Sequence, residues 1–345
     1  MTLCENILAY LRRHAADGLS FWTERQSAAQ PSVLAACDVF YALKLTGTLD
    51  LLAADAPGRF AALISRHRLA GGVGRGDGVP LDVHKTAYAL GVLNFLAAHG
   101  WPVQDQALAG RAWRLDEILD SRHRPRWPWY FAHHAWRVGH WIGGIPAIVL
   151  SLWRLAPEKA ARNRLPLPDV VLESSDALLD GDTGLFRAYR LEPVQKAFRA
   201  LYRFRHDPDA GALGGVAHLH WGNYAAGRLP YKAAPALFDR TWAQMKKRQP
   251  FMEEVPYCLD FDILHLARTA VPQADARLPA LEREALDYAG SILDFYDTEL
   301  GETYTLHKLP GGLAALHECA LIGKAGRVPG LDTAPVDVAR EAYWI

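Results

Sequence analysis

The chain has no excess of charge of either sign: 38 Lys+Arg stand against 38 Asp+Glu in 345 residues. A general nucleic-acid binder or a polybasic membrane binder needs a positive field, so neither is expected. Charged residues make up only 22% and hydrophobic ones 50%, which excludes a solvated disordered chain. Cysteine is scarce. Cys4, Cys37, Cys258 and Cys319 form no CxxC or other short metal spacing, and all but Cys4 sit in apolar helical runs. Reduced thiols are therefore expected rather than two disulfides. Long apolar runs are missing as well. The longest uncharged one, Trp141 to Trp153, falls short of the ~20 residues a spanning helix needs and contains Pro146. The start, MTLCENILAYLRRHAADG, is broken early by Glu5 and has Arg12 and Arg13 after its apolar stretch. It reads as an amphipathic helix, not a signal peptide. A cytoplasmic protein with no membrane partner is expected.

Strict apolar–polar alternation is nowhere sustained, so an all-β or α/β fold is not expected. Residues 71–78, GGVGRGDG, are glycine-rich but lack G-x-G-x-x-G and the Lys-Ser/Thr ending of a phosphate loop, which argues against a nucleotide. No H-E-x-x-H occurs, and His317–Glu318 lacks a second histidine. No cofactor and no metal are expected.

Helical periodicity is abundant. In Val33 to Leu45 apolar residues recur at Val33, Ala36, Cys37, Phe40 and Tyr41, and similar runs cover 83–97, 145–155, 234–245, 261–270, 278–295 and 313–322. A faint repeat overlies them: a polar residue opens a very apolar helix at 37–47, 81–100, 138–155, 258–270 and 306–323. Glycine-rich turns lie between, and the gap at 195–247 has room for one more hairpin. Helices that are apolar on all sides must be surrounded by other helices. The expected fold is all-α, a single domain over 1–345, with helical hairpins closed into an α/α toroid.

The alternation of glycine-rich turns with D-x-h-x-x-A-L-type helices resembles the six-hairpin α/α toroids. These include glycoside hydrolases, uronate lyases and sugar epimerases, and the same ring serves terpenoid cyclases and protein prenyltransferase subunits. The resemblance covers most of the chain and implies an architecture more than an activity.

What the chain has in plenty is aromatic and imidazole side chains: 11 Trp and 14 His. They are concentrated. Residues 127–144 hold Trp129, His134, Trp136, His140 and Trp141, and residues 214–232 hold His220, Trp221, Asn223, Tyr224 and Arg228. Flat rings suit the apolar faces of sugars, and N–H groups suit their hydroxyls. An acidic set adds Asp82, Asp260 and Asp262; the last two point about 160° apart on a helix, so only one can face Asp82 across an axis. Each carboxylate also fits an N-cap or first-turn role. His307 completes the set. The expected activity is glycoside hydrolysis of an oligo- or polysaccharide. Catalysis would use Asp82, Asp260, Asp262, His140, His220 and His307, and binding would use the aromatic, Asn and Arg residues just named. Lyase or epimerase chemistry by His, Tyr and Arg, a terpenoid-type cyclase, and a non-catalytic helical binder stand as alternatives. The sequence sets no oligomeric state.

Overall fold

The computed structural model describes residues 2–15, 32–74, 81–113, 135–186, 197, 207–272, 275–301 and 303–345. It is all-α apart from one small strand pair. The helices are α1 (Leu3–Arg13), α2 (Val33–Leu45), α3 (Ala56–Arg66), α4 (Val83–Ala98), α5 (Gln104–Ala107), α6 (Ala135–Ile142), α7 (Gly144–Leu155) and α8 (Pro157–Arg162). They continue with α9 (Pro168–Asp176), α10 (Pro208–Ala225), α11 (Ala234–Lys247), α12 (Cys258–Ala270), α13 (Leu278–Thr298), α14 (Leu309–Ile322) and α15 (Val338–Ala342). The hairpin anticipated around 195–247 is present as α10 and α11. Strands β1 (Gly72–Gly74) and β2 (Arg111–Trp113) pair antiparallel, with Val73 opposite Ala112.

Two kinds of helix are visible in the burial. On α1 only Leu3, Ile7, Tyr10 and Leu11 are buried, a single stripe at helical spacing. On α4 every residue from Thr86 to Leu96 is buried, and on α14 every residue from Leu309 to Ala320. Such helices have neighbours all round. Accordingly α2 packs on α4, α4 on α7, α6 on α10, α10 on α12, α12 on α14, and α14 on α2. The striped helices each lean on these: α3 on α2, α9 on α7 and α10, α11 on α12, and α13 on α14, with α1 on α13.

Glycine sets the closest crossings. A Cβ on Gly139 of α6 would lie 2.2 Å from the carbonyl oxygen of Gly215 on α10, and one on Gly311 of α14 would lie 2.3 Å from the amide nitrogen of Cys258. No side chain fits at either place, so α10 and α12 can press against their partners at backbone distance. The sequence reading assigned glycine chiefly to turns; these two serve helix contacts.

The last residues of the chain run between α4 and α10. Helix α15 touches both. Asn94 Nδ2 donates to the Ala342 carbonyl at 3.2 Å, and the Tyr41 hydroxyl donates to the Trp344 carbonyl. Trp344 is buried against His218 and Trp221. All four cysteines are free thiols. Among the described residues no helix is long and apolar enough to cross a membrane.

Candidate active site

Helix starts meet at one cavity of about 340 Å³. Asp82 and His84 come from the start of α4, Tyr257 and Cys258 from that of α12, and His307, Pro310 and Gly311 from the approach to α14; His140, His218, Tyr88 and Ile345 complete its wall. The sequence places them there by simple means. Asp82 caps α4, its Oδ1 accepting from the Lys85 amide at 2.8 Å, and His84 follows on the first turn. Cys258 begins α12 where Gly311 lets α14 close in.

The imidazoles form a continuous cluster. His84 stacks on His140 with ring centroids 4.4 Å apart, His140 meets His218 edge-on at 4.8 Å, and His84 meets His307 edge-on at 6.1 Å. Their outer partners decide where the protons sit. His307 Nδ1 lies 2.9 Å from Asp38 Oδ1, which also accepts from the Tyr88 hydroxyl at 2.8 Å. A carboxylate oxygen accepts, so His307 carries its proton on Nδ1 and leaves Nε2 with the lone pair when neutral. His84 is held in the opposite way. Trp344 Nε1 donates to His84 Nδ1 at 3.0 Å, and an indole N–H can only donate. His84 therefore carries its proton on Nε2. His218 Nδ1 donates to the Gly214 carbonyl at 2.5 Å.

Burial holds His218, the two tyrosines and the cysteine of the wall in their neutral forms. Burial takes His218 down to about 3. Tyr88 is pushed well above the usual phenol range by burial and by Asp38, and Tyr257 by Cys258 and burial. The Cys258 thiol is raised by burial and by Asp262 one turn along α12. Near neutrality neither tyrosine nor the cysteine can serve as a base.

Of the residues expected to be catalytic, Asp82, His140 and His307 share this cavity. Asp260, Asp262 and His220 do not line it. Asp260 is fully buried and closes the start of α12, accepting from the amides of Met252 (3.0 Å) and Tyr257 (2.8 Å) and from the Tyr288 hydroxyl (2.5 Å). Burial, opposed by those three donors, lifts it to about 6. Asp262 is buried with both oxygens unpartnered among the described residues, and desolvation drives it well above the carboxylate range. His220 is buried and stacks on Tyr231 at 3.9 Å. The first-turn role foreseen for acidic residues thus explains Asp260.

The expected binding residues divide in the same way. Trp129 and His134 lie outside the described residues. Trp136 is on α6. Trp141 is half-buried and packs on the core. Trp221 is buried under the histidines. Asn223, Arg228 and Asp176 form one network: Asn223 donates to Asp176 at 2.8 Å, and Arg228 reaches Asp176 at 2.9 Å with Asp169 and Glu173 at 3.7 Å. Tyr224 donates to Asp337 at 2.6 Å and accepts from Arg268 at 3.0 Å. Among the described lining residues there is no tryptophan; histidine supplies the flat rings. Asp38, His84, Tyr88 and His218 lie outside the expected catalytic and binding set, although His84 adjoins Asp82 and His218 falls in the 214–232 group. Asp38 and His84 do fall in the helix openings singled out by the faint repeat, which was the available clue. Among the described residues no three His, Cys, Asp or Glu have the spacing to hold a metal ion. Comparison with protein families, curated proteins and solved structures finds no match to this chain.

Proposed function

We propose that the chain is an enzyme acting on a carbohydrate by proton transfer at carbon, as an epimerase or a lyase does, with His307 as base and His84 as acid. The observation that carries this reading is the pair of opposite tautomers. With Asp38 on its Nδ1, neutral His307 has its lone pair on Nε2, and with Trp344 on its Nδ1, neutral His84 has its proton on Nε2. The two rings are neighbours on one wall. A base and an acid preset side by side can take a proton from a carbon and protonate the leaving oxygen on the same face, as a lyase does; an epimerase would have to return the proton to the opposite face, so this arrangement favours the lyase. The lining of imidazoles, phenols and a carboxylate suits hydroxyl groups, whereas a carbocation would call for an apolar aromatic wall. A closed α/α ring of hairpins is the architecture that supports this reading best, because each surrounded helix touches the next and α14 returns to α2.

Hydrolysis of a glycosidic bond is the second reading, favoured by the Asp82 carboxylate on the cavity wall. It would need a second carboxyl across the scissile bond, and Asp38 is occupied by His307 and Tyr88.

The test is incubation with sugars and glycan fragments in D2O, followed by proton NMR. Deuterium entering a carbon position, or an unsaturated product absorbing in the ultraviolet, is expected from the wild type and lost in His307→Ala. Release of reducing ends without carbon exchange would replace this reading by the hydrolytic one.

A further inference from the structure

A second cavity of about 530 Å³ adjoins the histidine cavity. The two share a wall, because consecutive residues serve different sides. His307 faces the first and Lys308 the second, and Cys258 faces the first and Leu259 the second. Successive Cα atoms are only about 3.8 Å apart. The Lys308 ammonium sits 5.9 Å from the centre of the Tyr257 ring, and Tyr257 belongs to the first cavity. One ligand that fills both would pass over Tyr257 and Lys308.

The lining defines the chemistry. Lys247, Arg248 and Lys308 are matched in number by Asp207, Glu253 and Glu254. A phosphate or carboxylate site would show an excess of cations. Balanced donors and acceptors instead suit vicinal hydroxyls, which both donate and accept. Phe251 gives an apolar face beside them. Two of the charged groups are held in place. Gln244 donates to Asp207 at 3.0 Å, and the Arg248 guanidinium lies 3.7 Å over the Tyr288 ring with its Nε unpartnered among the described residues. Each cavity has a volume in the range of sites for small organic ligands, roughly 300–1,000 Å³.

We infer that the second cavity is a binding subsite for an uncharged sugar unit. The substrate is then a disaccharide or longer, with one unit at the histidines and the next against Phe251 and Glu253. This rests on the carbohydrate reading proposed above and narrows it to substrates of at least two units.

The test is hydrogen–deuterium exchange of the full chain with a panel of D-glucose, D-galactose, D-mannose, D-xylose and D-glucuronate and their homodimers, with dissociation constants from calorimetry. The expected result is protection of 305–311 by a neutral monosaccharide, and of both 305–311 and 247–254 by the matching dimer. Lys247→Ala and Glu254→Ala, both on exposed side chains, should each weaken dimer binding about tenfold while leaving the monosaccharide constant within twofold. Protection of 305–311 alone by every dimer overturns the subsite and leaves the carbohydrate reading standing. No protection of either segment by any sugar overturns both. Stronger protection of 247–254 by the glucuronate dimer than by the neutral ones overturns the uncharged ligand class.

Discussion

The indole N–H of Trp344 donates to Nδ1 of His84 at 3.0 Å, and this bond decides which nitrogen of His84 carries the proton. Trp344 is buried against His218 and Trp221, so its own orientation is set by packing. Nitrogen-15 correlation spectra of the imidazoles should show His84 as the Nε2–H tautomer and His307 as the Nδ1–H tautomer. In Trp344→Phe the donor is gone and His84 should populate both forms, with a stability loss of about 1–3 kcal/mol from the smaller ring. A wild-type His84 protonated on Nδ1 would remove it from the role of acid.

Asp38 holds His307 from the other side. In Asp38→Asn the amide no longer forces the histidine proton onto Nδ1, and the base loses its orientation. Carbon–deuterium exchange should fall by about 10²–10⁴, with the substrate dissociation constant nearly unchanged. Asp82→Asn gives the contrast. Asn caps a helix about as well as Asp, so melting should shift little, and any fall in turnover would report on the carboxylate's own chemistry.

Stability should fall as the solution is acidified from pH 7, before the carboxylates titrate. Burial takes His218 and His220 down to about 3 and His317 to about 4. Each is neutral when folded and gains a proton in the unfolded chain near pH 6.5. Their contribution is therefore complete above 6.5 and is lost as pH falls toward the folded values. At pH 5 the loss is about 2 kcal/mol for each. Asp262, raised by burial, opposes this, and so does Asp260. Its raised value of about 6 means that protonation relieves the folded state, by about 1 kcal/mol between pH 7 and pH 5. Urea unfolding at pH 7, 6 and 5 should show a net decline; a flat profile would mean that these histidines are hydrated.

The apolar runs at helical spacing were enough to read an all-α chain, because surrounded helices such as α4 and α14 have no polar face to mislead. The cavity was only half legible. Asp82, His140 and His307, which line the cavity, stand out in the sequence because each opens or lies near an apolar helix. His84 beside Asp82 and Asp38 beside Cys37 fall outside the expected site set because their positions depend on partners far along the chain: Trp344 for one and His307 for the other. No local spacing contains that information. Asp260, Asp262 and His220 misled for the converse reason. Their neighbours look like a site in sequence, but α12 and α10 turn these side chains toward packed helices. The second cavity was not legible because its charges come from four separate places: Asp207 before α10, Lys247 and Arg248 at the end of α11, Glu253 and Glu254 before α12, and Lys308.

A buried ion-pair cluster ties α12 to α14, and it offers the sharpest test of the helix packing. Glu318 of α14 is 1% exposed and accepts from Arg268 at 2.5 and 3.0 Å and from His265 at 3.1 Å. Burial alone would raise the Glu318 carboxyl, but Arg268 and His265 outweigh it and hold it at about 2. Glu318→Gln leaves the guanidinium with Asp337 at 3.5 Å as its nearest carboxylate. Removing one partner of a buried pair typically costs about 3–5 kcal/mol, whereas replacing both by apolar residues costs far less. The double variant Glu318→Leu/Arg268→Met should therefore be more stable than either single variant in chemical denaturation at pH 7. The pH dependence has a definite sign. The Glu318 contribution is complete above the unfolded value of about 4.5 and is lost as pH falls through the folded value, so the gap between wild type and Glu318→Gln should narrow below pH ~4.5. A double variant weaker than both singles would mean that the helices depend on the charges themselves rather than on filling the space between α12 and α14.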